Sequence, residues 1–253
     1  MNSPLNSPDS RQSILTERAA QGLPLSLSGL AEEFGVSPDT IRRDLLALEA
    51  AGAVRRVRGG ALPVVTPAGP VLERLMTADD AAERIAAAAL SLIEDGMVLM
   101  FDGGSTVMRL ARSLPALPRA LVVTPAPAVA LATMSKGIET ILVGGRLSGF
   151  GGIAVGQAAV AAIADIAADL CFLGACGLSA DFGLSADNPD EAAVKRAMCS
   201  AAPRAVVLTG AAKLGRRARH RVVACADLDL LITDAGGAET AALSDAVLEV
   251  RHV

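Results

Sequence analysis

Residues 36–61, VSPDTIRRDLLALEAAGAVRRVRGGA, constrain the fold more than any other stretch of the chain. Ser37 is an N-cap residue type, Pro38 suits the first helical position, and Asp39 suits the positive end of a helix dipole. Ile41, Leu45 and Leu48 recur at helical spacing, which predicts an amphipathic helix with those three facing a core. Arg42 and Arg43 project from the other side. Thr40 and Arg43 are placed to reach base edges, and Arg42 suits a phosphate or a base edge. Gly52 is expected to stop the helix in the left-handed conformation. Arg55, Arg56 and Arg58 follow within four residues and run into Gly59-Gly60, a short basic hairpin.

The preceding residues supply two more helices. Residues 10–21, SRQSILTERAAQ, put Ile14, Leu15 and Ala19 on one face. Residues 28–34, SGLAEEF, predict a short helix capped by Ser28, and Gly35-Val36 make the turn into the next. Three helices and a charged wing form a winged helix-turn-helix, a reader of duplex DNA. A small helical domain with a solvated arginine face accounts for any one element, but not for the glycine turn and the basic wing together. The candidate DNA contacts are Ser37, Thr40, Arg42, Arg43, Arg55, Arg56 and Arg58.

The same segment resembles the signature of the DeoR family of bacterial transcriptional repressors, VSxxTIRRDLxxLExxGxLxRxHGGA. Val36, Ser37, Thr40, Ile41, Arg42, Arg43, Asp44, Leu45, Leu48, Glu49, Gly52, Arg56, Gly59, Gly60 and Ala61 match it. Arg58 stands where the family usually has His, which keeps or raises the positive charge. A weaker likeness continues through the rest of the chain. The resemblance implies a repressor of a sugar-metabolism operon. It also implies an α/β sensor domain, similar in fold to ribose-phosphate isomerase, that takes a phosphorylated sugar.

Composition is compatible with that reading. A chain of 253 residues with 52% hydrophobic content has room for a small domain and a larger one with a sizeable core. Aromatics make up 2%, with neither Trp nor Tyr, which argues against base-stacking readers of single strands or RNA. Net charge is −4, yet residues 1–63 hold seven basic and seven acidic groups. Placement of the arginines matters more than the sum. Cys171, Cys176, Cys199 and Cys225 show no CxxC spacing, and His220 and His252 are the only imidazoles, so no metal site is expected. No cofactor is expected either. The thiols are expected to be free in a reducing cytoplasm. The first residues are polar, without a signal-peptide pattern, and no apolar run reaches membrane-spanning length, so a cytoplasmic protein without membrane contact is expected.

The organisation follows from these signals. Residues 1–9 predict a disordered tail, 10–62 the winged domain, and 63–79 a linker punctuated by Pro63, Pro67 and Pro70. Residues 80–253 predict an α/β domain for effector sensing and oligomerisation. Strand candidates are 98–101, 120–124, 140–144, 170–175, 205–209, 221–225 and 230–233. Helix candidates are 80–93, 109–114, 128–135, 157–168, 191–201 and 238–246. Their alternation predicts a largely parallel sheet.

The chemistry of this domain begins at residues 101–111, FDGGSTVMRLA. Asp102 stands at the carboxyl end of a strand, Gly103 and Gly104 bend the chain, and Ser105 and Thr106 open a helix. Such a turn offers backbone N–H groups and a positive dipole end to an anion. An ordinary helix start is the commoner meaning of the pattern. The family's similar DxGTT segment, implied to contribute to a sugar-phosphate pocket, favours the ligand. Gly144 and Gly145 either bring backbone to the same ligand or simply turn the chain. Glu191 and Lys195, four apart, fit an exposed ion pair on one helix face, and the family is similar there. Lys213 lies in GAAKLG beyond a strand, placed to meet phosphate. The family usually reads DSSKFG at that point, so Gly210 replaces an aspartate. Thr124-Pro125 replaces Thr-Asn, and Ala82 stands where a lysine is frequent. The resemblance therefore implies a retained phosphate cradle with fewer polar contacts to the sugar.

The favoured function is a DNA-binding repressor, dimeric or larger, that reads a double-stranded operator under control of a phosphorylated sugar. It is not expected to be an enzyme. One alternative is an isomerase-like enzyme, which needs an acid/base pair such as Asp102 and Glu191 aimed at one substrate. Another is a constitutive DNA-binding protein whose second domain only oligomerises.

Overall fold

The computed structural model describes residues 7–20, 25–51, 53–63, 71–246 and 248–253. The chain divides into two compact units, residues 1–67 with 215–218 and residues 68–214 with 219–253.

The first unit runs α1 (Pro8–Ala20), β1 (Leu25–Ser26), α2 (Leu27–Phe34), α3 (Pro38–Ala50), β2 (Val54–Val57) and β3 (Gly60–Pro63). Helix α1 starts inside the expected tail. Ser7 Oγ accepts from the Ser10 N–H at 3.2 Å, a cap that carries helix into Pro8 and Asp9. Residues 1–6 lie outside the described residues. Leu15, Ile41 and Leu45 are among the buried residues that close the small core, each contributing about 1.5–3 kcal/mol by burial. Helix α2 is capped by Ser26, not by Ser28, because Ser26 leaves β1 in an extended conformation and its hydroxyl accepts from Gly29 N–H. Gly35 ends α2 in the left-handed region, at φ +61°. The expected stop at Gly52 lies outside the described residues.

Strands β1, β3 and β2 form a three-stranded antiparallel wing in that order. The two wing glycines serve different ends. Gly59 turns the hairpin at φ +88°. Gly60 faces Ser26 across the ladder, and a Cβ there would sit 2.1 Å from the Leu25 carbonyl oxygen. β1 has only two residues and left no pattern in the sequence.

The second unit opens with α4 (Val71–Met76), a helix inside the segment expected to be linker, and continues with α5 (Asp80–Ala89). Residues 64–70, with Pro67 and Pro70, lie outside the described residues. A 3-10 turn, Leu90–Leu92, finishes the expected helix 80–93. Then come β4 (Val98–Phe101), α6 (Ser105–Ser113), β5 (Leu121–Thr124), α7 (Pro127–Met134) and β6 (Glu139–Leu142). After them follow β7 (Arg146–Leu147), β8 (Ala154–Val155), α8 (Gln157–Ala164) and β9 (Leu170–Gly174). The chain goes on through β10 (Gly177–Ser179), β11 (Gly183–Ala186), α9 (Pro189–Ala201) and β12 (Ala205–Leu208). It ends with β13 (His220–Val223), β14 (Leu230–Thr233), α10 (Gly237–Asp245) and β15 (Glu249–His252).

Seven strands form one parallel sheet in the order β15-β14-β12-β9-β4-β5-β6. The central strands are buried along their length, which explains their unbroken apolar runs. The chain steps outward from β4 through β5 to β6, then returns to the other side of β4 with β9. The direction of winding therefore reverses between β4 and β9, where Phe101 and Phe172 stack with centroids 5.2 Å apart. In an open α/β sheet, the crevice beyond the strand ends at such a reversal is the place for a ligand.

The expected strand 221–225 is present as β13 but not in the parallel sheet. It joins β10 and β11 in a separate antiparallel layer. β10 and β11 are rich in Gly and Ser, so they lacked the β-branched signal of a strand. Among the described residues no helix is long and apolar enough to cross a membrane.

Candidate functional site

The exposed face of α3 and the tip of the wing carry the candidate DNA contacts. Ser37 Oγ accepts from the Thr40 N–H at 3.2 Å and lies 2.9 Å from Thr40 Oγ1, so both hydroxyls help to start the helix. Arg42 pairs with Asp39 one turn back. Arg56 is braced to Glu49 of α3: its backbone N–H and side chain both donate to that carboxylate, at 3.0 and 2.5 Å. These bonds hold the Glu49 carboxyl below its ordinary pKa. Arg43 and Arg58 are exposed and form no ion pair among the described residues. The Arg55 side chain lies outside the described residues.

The signature aspartate of α3, Asp44, faces inward. Arg11 Nε donates to it at 2.8 Å and Gln12 Nε2 at 3.2 Å. With side chains 5% and 4% exposed, this Arg11–Asp44 pair bolts α1 to the recognition helix. Sequence pattern alone offers Asp44 no partner, because Arg11 is 33 residues away.

In the second unit, a cavity of about 380 Å³ opens beyond the carboxyl ends of β4, β9 and β12. It lies where the winding reverses. Asp102, Gly103, Gly104, Ser105, Thr106, Glu191, Lys195 and Lys213 all line it. Gly144 and Gly145 do not. They follow β6, the edge strand, with β5 between it and β4. Gly145 instead serves the β7–β8 ladder, where a Cβ would stand 2.8 Å from the Val155 carbonyl oxygen. Of the family departures noted above, Gly210 lines the cavity, whereas Ala82 and Pro125 do not.

Helix α6 starts without a side-chain cap, from Gly104 at φ +98°. Its first N–H groups and the half-buried Ser105 and Thr106 thus front the cavity. Gly103 permits the loop at 151–153 to approach, since a Cβ would meet Ile153 Cγ2 at 2.3 Å and the Gly151 carbonyl oxygen at 2.9 Å. Lys213 sits at the end of a 3-10 turn, Ala211–Lys213, whose Ala211 N–H donates to Asp234 at 2.8 Å.

Glu191 and Lys195 are not the exposed pair expected from their spacing. They are 1% and 5% exposed, and each has turned to a different partner. Lys195 bonds Asp102 Oδ2 and donates to the Gly174 carbonyl at 3.0 Å. Glu191 accepts from Ser148 Oγ and from the Gly151 N–H, fixing the 148–152 loop. Asp102 Oδ2 also accepts from the Gly174 N–H at 2.9 Å. Its other oxygen, Oδ1, is buried without a hydrogen-bond partner among the described residues. Burial pulls the Lys195 pKa down, but the charges of Asp102, Cys176 and Glu191 and the bond to Asp102 outweigh it, and the net shift is upward. Lys195 therefore stays an ammonium. Burial pushes the neighbouring thiols up as well, Cys199 to about 12.

Several cavity residues left no signal in the sequence. Arg74 and Thr77 come from the segment expected to be linker, and Phe150 and Thr209 from stretches without a motif. Among the described residues, no group of three or more His, Cys, Asp or Glu could hold a metal ion.

Both units match families of known proteins. The DeoR-like helix-turn-helix domain family matches residues 11–65, and the DeoR C terminal sensor domain family matches residues 78–235. The chain is 32% identical to the HTH-type transcriptional regulator GlpR of Haloferax volcanii, over 90% of each chain. It is 31% identical to the HTH-type transcriptional repressor GlcR of Bacillus subtilis, over 79% of this chain and 78% of that one. It is 32% identical to the glycerol-3-phosphate regulon repressor of Escherichia coli K12, over 83% and 84%. A D-ribose-5-phosphate isomerase structure overlaps 55% of each chain at 19% identity, with a TM-score of 0.42. With a winged reading helix in one unit and a switch-point cavity in the other, the chain belongs to the DeoR family of helix-turn-helix transcriptional regulators.

Proposed function

We propose that this regulator represses a sugar-metabolism operon and that a phosphorylated sugar in the switch-point cavity controls its grip on DNA. The observation that supports this most strongly is the uncapped start of α6, which faces the same cavity as Lys213. Free N–H groups at a positive helix end, two hydroxyls and an ammonium suit a phosphate dianion. Asp102 Oδ1, buried and unpartnered among the described residues, suits a sugar hydroxyl as donor. Names of relatives point the same way, since the Escherichia coli protein is named for a glycerol-3-phosphate regulon.

Binding without turnover fits the electrostatics. Both buried carboxylates are committed, Asp102 to Lys195 and Glu191 to the 148–152 loop. Lys195, held above its ordinary value, is a poor proton shuttle near neutrality. On the DNA side, Arg43 and Arg58, which form no ion pair among the described residues, are the cations in this reading, Arg43 for a base edge and Arg58 for a backbone phosphate. Homo-oligomerisation through the second unit pairs two reading helices with two half-sites.

The test is a mobility-shift titration of an operator, selected from a random duplex library, against pentose, hexose and triose phosphates and their unphosphorylated parents. Phosphorylated compounds change operator affinity and the parents do not. Lys213→Ala loses a charge-assisted bond of about 1.5–3 kcal/mol. It raises the effector concentration needed and leaves ligand-free binding intact. A wild-type protein indifferent to every phosphate overturns the reading.

A further inference from the structure

Helix α4 has six residues, far below the dozen or so at which an isolated helix becomes marginally stable in water. Its order therefore depends on what it touches, and it touches the cavity wall. The Val71 N–H donates to the Phe150 carbonyl at 3.0 Å. The Arg74 guanidinium lies over the Phe150 ring, 5.4 Å from its centroid. Gly152, at φ +66°, leaves room for Val71, since a Cβ would stand 2.6 Å from Val71 Cγ1. At the other end, Arg109 Nη2 donates to the Thr77 carbonyl at 2.7 Å. Arg109 is buried, and its Nη1 donates to the Ser105 carbonyl at 3.2 Å, the first residue of α6.

Both ends of α4 are thus held by the walls that a ligand would meet. Phe150 and Gly151 line the cavity on a loop that Glu191 fixes, and Ser105 lines it at the start of α6. Arg109 has no place in the cavity lining, yet one guanidinium joins Ser105 to Thr77. In sequence, α4 is also where the chain arrives from wing strand β3 by way of residues 64–70.

We propose that α4 is the coupling helix: an occupied cavity stiffens its walls, the walls clamp α4 through Phe150 and Arg109, and whether α4 is clamped or loosened sets the grip on operator DNA. This deepens the sensor reading above and rests on it. A ligand shifts an equilibrium only by its differential affinity for two states, and here the two states are α4 clamped and α4 loosened. Arg109 is a positioning residue in this scheme, acting through Thr77 and not on the ligand.

The test is hydrogen exchange on the full chain, with and without ribose 5-phosphate, glucose 6-phosphate or glycerol 3-phosphate. A probe that binds slows exchange in 103–107 and in 71–77 together. Arg109→Gln keeps the protection at 103–107 and loses it at 71–77. The ligand's effect on operator affinity then falls from a typical coupling of about 5–150-fold to under about twofold. Gly152→Ala, which pushes on Val71 from the other end, gives the same separation by an independent route. Protection at 103–107 with none at 71–77 in the wild type overturns the proposal and spares the sensor reading. So does an undiminished operator response in both folded variants. Protection in neither segment, with any probe, overturns the sensor reading and the coupling with it.

Discussion

Lys195→Met removes the cation that bonds Asp102 in the cavity floor. The two side chains are 7% and 1% exposed, so neither has water in reserve. Without the ammonium, Asp102 keeps the Gly174 N–H at 2.9 Å on Oδ2 and, among the described residues, nothing on Oδ1. Stranding a buried charge in this way costs about 3–5 kcal/mol, whereas Met fills much of the vacated volume, so the cavity contribution is small. In a unit of this size each kcal/mol moves Tm by about 2–4 °C, which places the variant roughly 6–20 °C below wild type. Adding Asp102→Asn removes the stranded charge and restores most of the loss. The assay is thermal melting by far-ultraviolet circular dichroism, because the chain has neither Trp nor Tyr. A variant melting within about 2 °C of wild type, or a double variant no more stable than Lys195→Met alone, refutes the reasoning.

Arg43→Ala should weaken operator binding by about 1–3 kcal/mol with relaxed specificity, whereas Arg58→Ala should weaken all duplexes and lower the salt slope by about 1; mobility shifts at several salt concentrations separate the two. Gly60→Ala sets a Cβ 2.1 Å from the Leu25 carbonyl oxygen. It should open the wing and abolish operator binding while the melting of the α/β unit, followed by circular dichroism, stays unchanged. In the wild type, the raised pKa of Lys195 keeps its contribution complete below the ordinary lysine value of 10.5, and that contribution drains away only above it. A titration of Tm should accordingly show no loss from this pair between neutrality and that value. Cys199, pushed up to about 12 by burial, should resist alkylation in the folded protein near neutrality and react once denaturant is added.

What could be foreseen and what could not divides along the range of the interactions. Short-range signals were legible. Ser37 and Pro38 announced α3, and the apolar runs at 98–101 and 230–233 are β4 and β14 residue for residue. The turn at 102–106 was legible because a strand end, two glycines and two hydroxyls sit side by side. Partners distant in sequence were not. The spacing of Glu191 and Lys195 suggested a mutual pair, but burial made each seek a stronger one, Lys195 reaching 93 residues back to Asp102. The same holds for Arg11 and Asp44. Gly144-Gly145, which follows a strand, was open to two readings, an approach to the ligand or a simple turn of the chain. Which strand lies beside β4 is decided by sheet order, and β6 is not the one. Helix α4 was hidden by its length and by the prolines before it, so the residues it gives the cavity were hidden too.

The central claim is tested most directly by calorimetric titration of the full chain with ribose 5-phosphate, glucose 6-phosphate and glycerol 3-phosphate, each beside its unphosphorylated parent. The account predicts that at least one phosphate binds with one site per chain and that its parent gives no heat. It also predicts that Lys213→Ala weakens the binding by about 1.5–3 kcal/mol. Equal binding of phosphate and parent, no binding of any phosphate, or an affinity indifferent to Lys213 would contradict it.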